Sequence, residues 1–196
     1  ARGRGRTQPP VFKSIAMSGE RDDHPIKRWG YPSIGPVPSA LAPEFAADNI
    51  RRWWVREGRK RYPNARKLLV LADGGGSNGP RNRAFKYALQ TRLCDPHRLQ
   101  ITLCHYPAGA SKWNPIEHRL FSEISKNWAG RPLDSYQTIV NCIGTTRTKT
   151  GLRVSAHLVT KEYPTGRKIT KAQMATLDIR PHETQPLRNY TIHAMA

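Results

Sequence analysis

Two acidic residues follow apolar stretches of the chain in a pattern that favours metal-dependent chemistry. Asp73 comes directly after the apolar run 68–72 and precedes three glycines, and Glu117 follows a second apolar run that ends near His105. A short apolar run is typical of a buried strand, and in open α/β sheets ligands gather beyond the carboxyl ends of such strands. Carboxylate oxygens at such a place are suited to hold Mg²⁺.

The composition indicates a polyanionic partner. The chain has 196 residues with 33 Lys and Arg against 14 Asp and Glu, which gives a formal net charge of +19. Such a surplus attracts nucleic acid electrostatically. Two carboxylates in so basic a chain suggest a metal-dependent enzyme acting on nucleic acid. No apolar stretch is long enough to span a bilayer, so we expect no membrane partner.

The cysteines and the amino terminus bear on location. Cys94, Cys104 and Cys142 form no Cys-x-x-Cys pair and are too few for a disulfide framework, so we expect reduced, buried thiols. The amino-terminal residues contain arginines without the apolar stretch of a secretory signal. The sequence therefore predicts a cytoplasmic protein associated with the nucleoid.

Proline spacing divides the chain into two regions. Residues 1–46 are rich in proline and arginine and show no sustained periodicity, which predicts a disordered or irregular head. Residues 47–192 show regular patterns. Asp48 is expected to cap a helix that buries Ile50, Trp53 and Trp54 and ends at Gly58. The arginines on its other face favour either a solvated surface or a phosphate contact, and both remain open.

The periodicity after this helix predicts alternating strands and helices. The apolar spacing indicates a strand at 68–72, a helix near Pro80, a strand at 99–105 and helices from Pro115 and near Tyr136. Alternation over 152–158 favours a strand or hairpin arm. Thr170 and Gln173 have the spacing of a capping box.

Each candidate acid also has a structural interpretation. Asp73 could simply begin a turn, because Asp and Gly favour turn geometry. Glu117 would close a capping box if Asn114 is the N-cap and Pro115 the first helical residue. A first helical turn is also a rigid mount for a carboxylate, so the two roles are compatible.

Other side chains around these acids offer further contacts. His105 and His118 flank the loop and could ligate a metal or transfer a proton, although lone histidines are more often ordinary polar contacts. Trp113 could stack on a base beside a phosphate-binding Lys112, or act as a hydrophobic staple at the helix entry. A later basic stretch could line a duplex; it consists of Arg147, Lys149 and Arg153, followed by Lys161, Arg167, Lys168 and Lys171.

Two longer strings carry a resemblance to a known family. The runs LVLADGGGSNGPRN (69–82) and HYPAGASKWNPIEHRLFS (105–122) resemble the Rhodopirellula-type transposases of bacterial insertion sequences, a branch of the DDE transposases. The phrases IRRWW, TKTGL and KEYPTG agree with the same family. The similarity extends over approximately residues 47–192.

This resemblance implies a fold, a reaction and a set of residues. It implies a ribonuclease H-like mixed sheet flanked by helices, with Asp73 as the second aspartate and Glu117 as the glutamate of the catalytic trio. These acids would bind Mg²⁺, or Mn²⁺, for DNA cleavage and strand transfer. The implied partners are transposon ends and target DNA, with a homodimer in a synaptic complex. The DNA-contact candidates are Arg81, Arg83, Lys112, Trp113, Arg147 and Lys149.

The first region departs from the family pattern. The first aspartate of the family lies on a strand of an opening antiparallel meander, and residues 1–46 show no matching motif, so none is assigned. We therefore expect a sheet that is incomplete at its N-terminal strands. The resemblance then implies the hypothesis that the chain is a truncated, inactive remnant of a transposase. The alternative is a non-catalytic basic nucleic-acid-binding protein.

Overall fold

A mixed sheet flanked by helices organises the protein. The computed structural model describes residues 11–21, 24–35, 42–72, 74, 76–107, 109–110, 113, 120–149 and 151–195, the first two ranges as backbone only. In this described part, the sheet has six strands in the order β2-β1-β3-β4-β6-β5. The strands are β1 (Val11–Arg21), β2 (His24–Gly35), β3 (Lys67–Ala72), β4 (Gln100–His105), β5 (Ile179–Pro181) and β6 (Tyr190–Ile192). The α-helices are α1 (Pro43–Trp53), α2 (Arg59–Arg61), α3 (Arg83–Leu89), α4 (Asp95–His97), α5 (Ser122–Trp128), α6 (Tyr136–Gly144) and α7 (Lys171–Ala175). The predicted α/β class is confirmed.

The centre of the sheet is the parallel pair β3 and β4. Their register runs from Lys67 opposite Gln100 to Ala72 opposite His105, and both other neighbours of the pair, β1 and β6, are antiparallel to it. Alternate residues of β3 and β4 are buried on one face of the sheet, as expected for strands covered by helices. The strands predicted at 68–72 and 99–105 are confirmed.

The main core lies between this face and two helical segments. It consists of apolar side chains from α1, α3, the strands and the turns that extend the helices. Phe85 and Leu89 of α3, and Leu93 of the π-helical turn that follows it, are fully buried. A second cluster, made by α5, α6 and Val154, is separate from this core.

The helix that begins with α1 continues further than predicted. A π-helical turn, Trp54–Gly58, follows α1 and leads into α2, so Gly58 lies inside the helical segment. A Cβ at Gly58 would lie 2.5 Å from the Trp54 ring. Glycine is required here because an indole packs against the backbone, and not because the helix ends.

The structure differs from the prediction over the first region. Val11–Arg21 and His24–Gly35 form an antiparallel hairpin in place of an irregular head. Pro25 and Pro32 lie in β2, which is the edge strand of the sheet. A proline lacks the N–H that a central strand must donate, but an edge strand tolerates it. The prolines therefore mark an edge rather than disorder.

The predicted cap role of Asp48 is wrong. The helix begins at Pro43 with Ala42 as the N-cap, and a proline at the first helical position needs no amide partner. Asp48 lies within the helix and is only 2% exposed. Its Oδ2 accepts hydrogen bonds from the Tyr163 hydroxyl at 2.9 Å and the Arg92 guanidinium at 3.0 Å.

This buried carboxylate joins distant segments of the chain. Burial alone would raise the pKa of Asp48, but the Tyr163 hydrogen bond and the charges of Arg92, Arg51 and Lys161 outweigh it and hold the pKa below its ordinary value. Burial, together with the Asp48 charge and hydrogen bond, raises the pKa of Tyr163 to about 12. The network fixes the segment around Tyr163 onto α1.

The basic face of this helical segment has two different uses. The guanidinium of Arg51 lies 3.4 Å from Asp48, and that of Arg52 donates to the Tyr163 hydroxyl, so these two arginines support the fold. Arg56 and Arg59 are exposed. Burial and the charges of Arg51 and Arg59 lower the pKa of His97. The phosphate-contact interpretation therefore applies only to the later arginines.

The carboxyl-terminal elements confirm some predictions and correct others. The capping box is present, since Thr170 and Gln173 each accept from the other's backbone N–H. The predicted strand over 152–158 is not continuous: within it, Arg153 forms an isolated bridge with Arg147, and Leu158 is a separate bridge position. The sequence did not predict β5 and β6, whose three residues each are too short for a periodic signal.

Replacement of Asp48 by Asn is expected to destabilise the fold. The change removes a buried charge that three partly exposed cations neutralise, so the free energy of unfolding at pH 7 should fall by about 1–3 kcal/mol. The folded-state pKa of Asp48 is depressed, so its contribution is present above about pH 4 and is lost as the pH falls further. Urea titrations of both proteins at pH 7 and pH 3 measure this difference.

An equal difference in stability between the two proteins at both pH values would contradict the assignment of the effect to the ionised carboxylate. Glu183→Gln, at an exposed position, is the matched control. It should leave the unfolding curve unchanged.

Candidate functional site

The carboxyl ends of β3 and β4 lie side by side and define the candidate site. Asp73 is the next residue after Ala72, which ends β3 and pairs with His105 at the end of β4. The Tyr106 N–H donates to the Ala72 carbonyl at 2.9 Å, so the pairing extends to the point where both chains leave the sheet. Any side chain that immediately follows Ala72 is thus attached to a rigid base.

Three predicted site residues lie outside the described residues. These are Asp73, Glu117 and Lys112, and His118 lies outside them as well. The approach of the two carboxylates to one another therefore stays a prediction. Within the described part of the chain, no group of three His, Cys, Asp or Glu side chains is placed to hold a metal ion. A metal site at this edge of the sheet would need carboxylates from residues outside the described part of the chain.

The glycine loop after Asp73 is compact. Gly76 has φ +64°, a left-handed conformation that favours glycine, and it begins a 3₁₀ turn, Gly76–Asn78. A Cβ at Gly79 would lie 3.3 Å from the Gly74 carbonyl oxygen, and one at Gly74 would lie 3.4 Å from that of Tyr106. The glycines allow the loop to fold back on itself against the end of β4.

His105 connects this loop to the segment before β6. Its Nδ1 lies 2.6 Å from the Arg188 carbonyl oxygen, and its Nε2 lies 2.9 Å from that of Asn78. Its backbone N–H donates to Oδ1 of Asn189 at 3.0 Å. The residue is 6% exposed. Both ring nitrogens are thus engaged with backbone, which favours the polar-contact interpretation over a metal ligand.

Tyr190 and Lys86 pack next to His105 on the interior side of the site. The Tyr190 ring lies 5.9 Å from the His105 ring, and the Lys86 ammonium lies 4.4 Å from the centre of the Tyr190 ring. Burial raises the pKa of Tyr190 and lowers that of Lys86. The Lys86 ammonium thus lies against the aromatic face of Tyr190, where the ring attracts the cation.

The remaining DNA-contact candidates fall into two groups. Arg81 and Arg83 are exposed on either side of Asn82, whose Oδ1 accepts from the Phe85 N–H and caps α3 next to the glycine loop. Trp113 is 70% exposed, which favours a stacking surface over a packed hydrophobic staple. Arg147 and Lys149 are exposed on the part of the chain that belongs to the second apolar cluster.

A comparison with protein families identifies the chain. The family model described as the Rhodopirellula transposase DDE domain matches residues 31–194. The chain belongs to this transposase family. No curated protein and no solved structure matches it. The observed mixed sheet with flanking helices agrees with the ribonuclease H-like fold that the resemblance implies.

The family match also bears on the predicted boundary at residue 47. It begins at residue 31, inside β2, so the resemblance reaches into the first region of this transposase. The division into two domains stays a prediction. In the described part of the transposase, no helix combines the length and apolar character that crossing a bilayer requires.

The network around His105 predicts a local effect of its removal. His105→Ala leaves the Asn78 and Arg188 carbonyls without their ring partner, so the glycine loop should lose protection. Loss of these buried polar contacts should lower the free energy of unfolding by about 1–3 kcal/mol. Hydrogen exchange of residues 76–82, followed by mass spectrometry, should accelerate more than exchange in α6.

His157→Ala is the control, because His157 is exposed and follows Ala156, which packs against the second apolar cluster. Uniform acceleration of exchange across the whole transposase would show a global loss of stability and contradict the local role of His105.

Proposed function

We propose that this transposase cleaves DNA at the ends of a bacterial insertion sequence and joins them to a new site, using Asp73 and Glu117. The observation that supports this function is the family match, which spans both acids and the parallel pair β3–β4. Asp73 follows directly on the most regular part of the sheet, and Glu117 precedes α5 in the chain.

The donor chemistry at these two positions suits a divalent cation. Carboxylate oxygens are hard ligands, and the glycines after Asp73 carry no side chains that would block the approach of a cation or a phosphate. Mg²⁺ or Mn²⁺, when bound, would activate water or a 3′-hydroxyl and stabilise the negative charge on the reacting phosphate. Asp73 and Glu117 would hold the cation.

The buried aspartate of α1 is not available for this task. Asp48 is enclosed by Tyr163 and Arg92, so its oxygens are already neutralised. The first aspartate of the trio is therefore a different residue, and Asp22 and Asp23 lie outside the described residues. Without a third acid the transposase would bind DNA and cleave poorly, which corresponds to an inactive remnant.

The cationic residues would position the DNA. Arg81 and Arg83 flank the start of α3 beside the glycine loop, where they would contact phosphates. Lys112 and Trp113 would contact a phosphate and stack on a base, respectively. Two transposon ends require two sites, so a homodimer would form the synaptic complex. Action on chromosomal DNA would place the protein at the nucleoid.

The proposed reaction predicts metal-dependent nicking that needs both acids. A supercoiled plasmid incubated with the purified protein and Mg²⁺ or Mn²⁺ should be converted to nicked circles. Asp73→Asn and Glu117→Gln should each reduce the rate at least about 100-fold, because each removes a charge that stabilises the reacting phosphate. Asp134→Asn, which changes an exposed acid that precedes α6, should have no effect.

The alternative function gives the opposite result. A non-catalytic nucleic-acid-binding protein would bind the plasmid with a steep salt dependence, would be insensitive to Asp73→Asn and to chelators, and would yield no nicked circles. Nicking that persists in both acid variants would come from a contaminant and would also contradict the proposal.

A further inference from the structure

A short hairpin after α6 carries an unusual pair of charges. The Val154 N–H donates to the Thr146 carbonyl at 3.2 Å, and the Thr148 N–H donates to the Leu152 carbonyl at 3.2 Å. Between these two bonds, Arg147 and Arg153 form an antiparallel bridge. Lys149 lies beyond the bridge, toward the turn that Gly151 makes with φ +94°. We call the segment 146–154 the basic hairpin.

The bonding pattern brings the two arginines close together. Because the hydrogen bonds lie on either side of the pair and not within it, Arg147 and Arg153 are a non-hydrogen-bonded pair, whose Cα atoms are about 4.5 Å apart and whose side chains share one face. Like charges placed directly opposite in this way are destabilising. Both residues are exposed.

Nothing nearby in the chain neutralises this pair. No aspartate or glutamate occurs between Asp134 and Glu162. Among the ion pairs formed by the described residues, none involves Arg147, Lys149 or Arg153. Among the described residues, no acidic side chain relieves the repulsion between Arg147 and Arg153, and an external anion would relieve it.

The basic hairpin is also firmly mounted. Thr146 is 1% exposed, its hydroxyl donates to the Cys142 carbonyl at 3.1 Å, and the Asn127 amide donates to that hydroxyl at 3.3 Å. At the other end, Val154 packs in the apolar cluster of α5 and α6. Buried Thr146 and buried Val154 thus anchor both ends of the hairpin and set the positions of the two arginines.

We propose that the basic hairpin is a DNA-binding element in which Arg147 and Arg153 together grip the phosphate backbone of a duplex. Two guanidinium groups on one face of the hairpin can each donate to a phosphate in a bidentate manner. Lys149 adds a contact nearer the turn. The choice of DNA as the occupant rests on the proposed function, whereas the anion site rests on the hairpin itself.

Salt-dependent binding tests this element. Fluorescence anisotropy of a labelled mixed-sequence DNA duplex is measured over a range of NaCl concentrations, in EDTA, so that metal chemistry does not contribute. Arg147→Gln/Arg153→Gln should decrease the slope of log K against log [NaCl] by about two and weaken binding at least about tenfold at 0.1 M salt. Arg147→Lys/Arg153→Lys should keep the slope.

A matched control removes the same charge elsewhere. Arg66 and Lys67 are exposed at the amino end of β3, whereas the candidate site lies at the carboxyl end of that strand. Arg66→Gln/Lys67→Gln should change the slope by much less than two. An equal loss in both double variants would show a general effect of net charge and overturn the proposal, as would unchanged binding by the hairpin variant.

Thermal melting without DNA separates binding from a structural role. Because the paired arginines repel one another, the Gln double variant should melt no lower than the unmodified protein at low ionic strength. A lower melting temperature would show that the arginines stabilise the fold and would overturn the proposal. The unmodified protein could fail to nick plasmid while the Gln double variant still binds DNA more weakly. This outcome would contradict the proposed function and support the assignment of the basic hairpin.

Discussion

The parallel pairing of β3 with β4 is the constraint on which the rest of the structure depends. It places the ends of two strands from different parts of the chain, Ala72 and His105, at the same edge of the sheet. It also requires a crossover between the strands, which α3 supplies by packing its apolar side on the buried face. The glycine loop and the His105 contacts exist because this pairing fixes where the two chains leave the sheet.

Buried charge has a structural role in this transposase that differs from the one its sequence suggests. Asp48 is surrounded by cations that approach from α1, from the turn after α3 and from the region of Tyr163. Glu44, also buried, lies 3.4 Å from Arg167. These contacts attach a carboxyl-terminal segment with little regular structure to the main core, where apolar burial alone provides only a small cluster around Phe45.

The sequence was informative where one physical signal dominated. The apolar run 68–72 located β3, the apolar spacing over 99–105 located β4, and the capping box located α7. It was misleading where a residue type has two structural uses: Pro25 and Pro32 indicated irregular chain but lie in an edge strand, and Asp48 indicated a cap but is a buried ion-pair partner. The candidate acids illustrate a further limit, because the spacing of Asp73 and Glu117 in the chain does not determine their distance in space.

Proline occurs at both borders of the sheet. Pro25 and Pro32 lie in β2 and Pro181 lies in β5, and these strands are the two outermost of the described sheet. A missing N–H interrupts the row of donors that a strand from another molecule would need, so extension of the sheet into a continuous intermolecular one is disfavoured. Edge-to-edge strand pairing at these two borders would therefore contribute little to contacts between two copies of this protein.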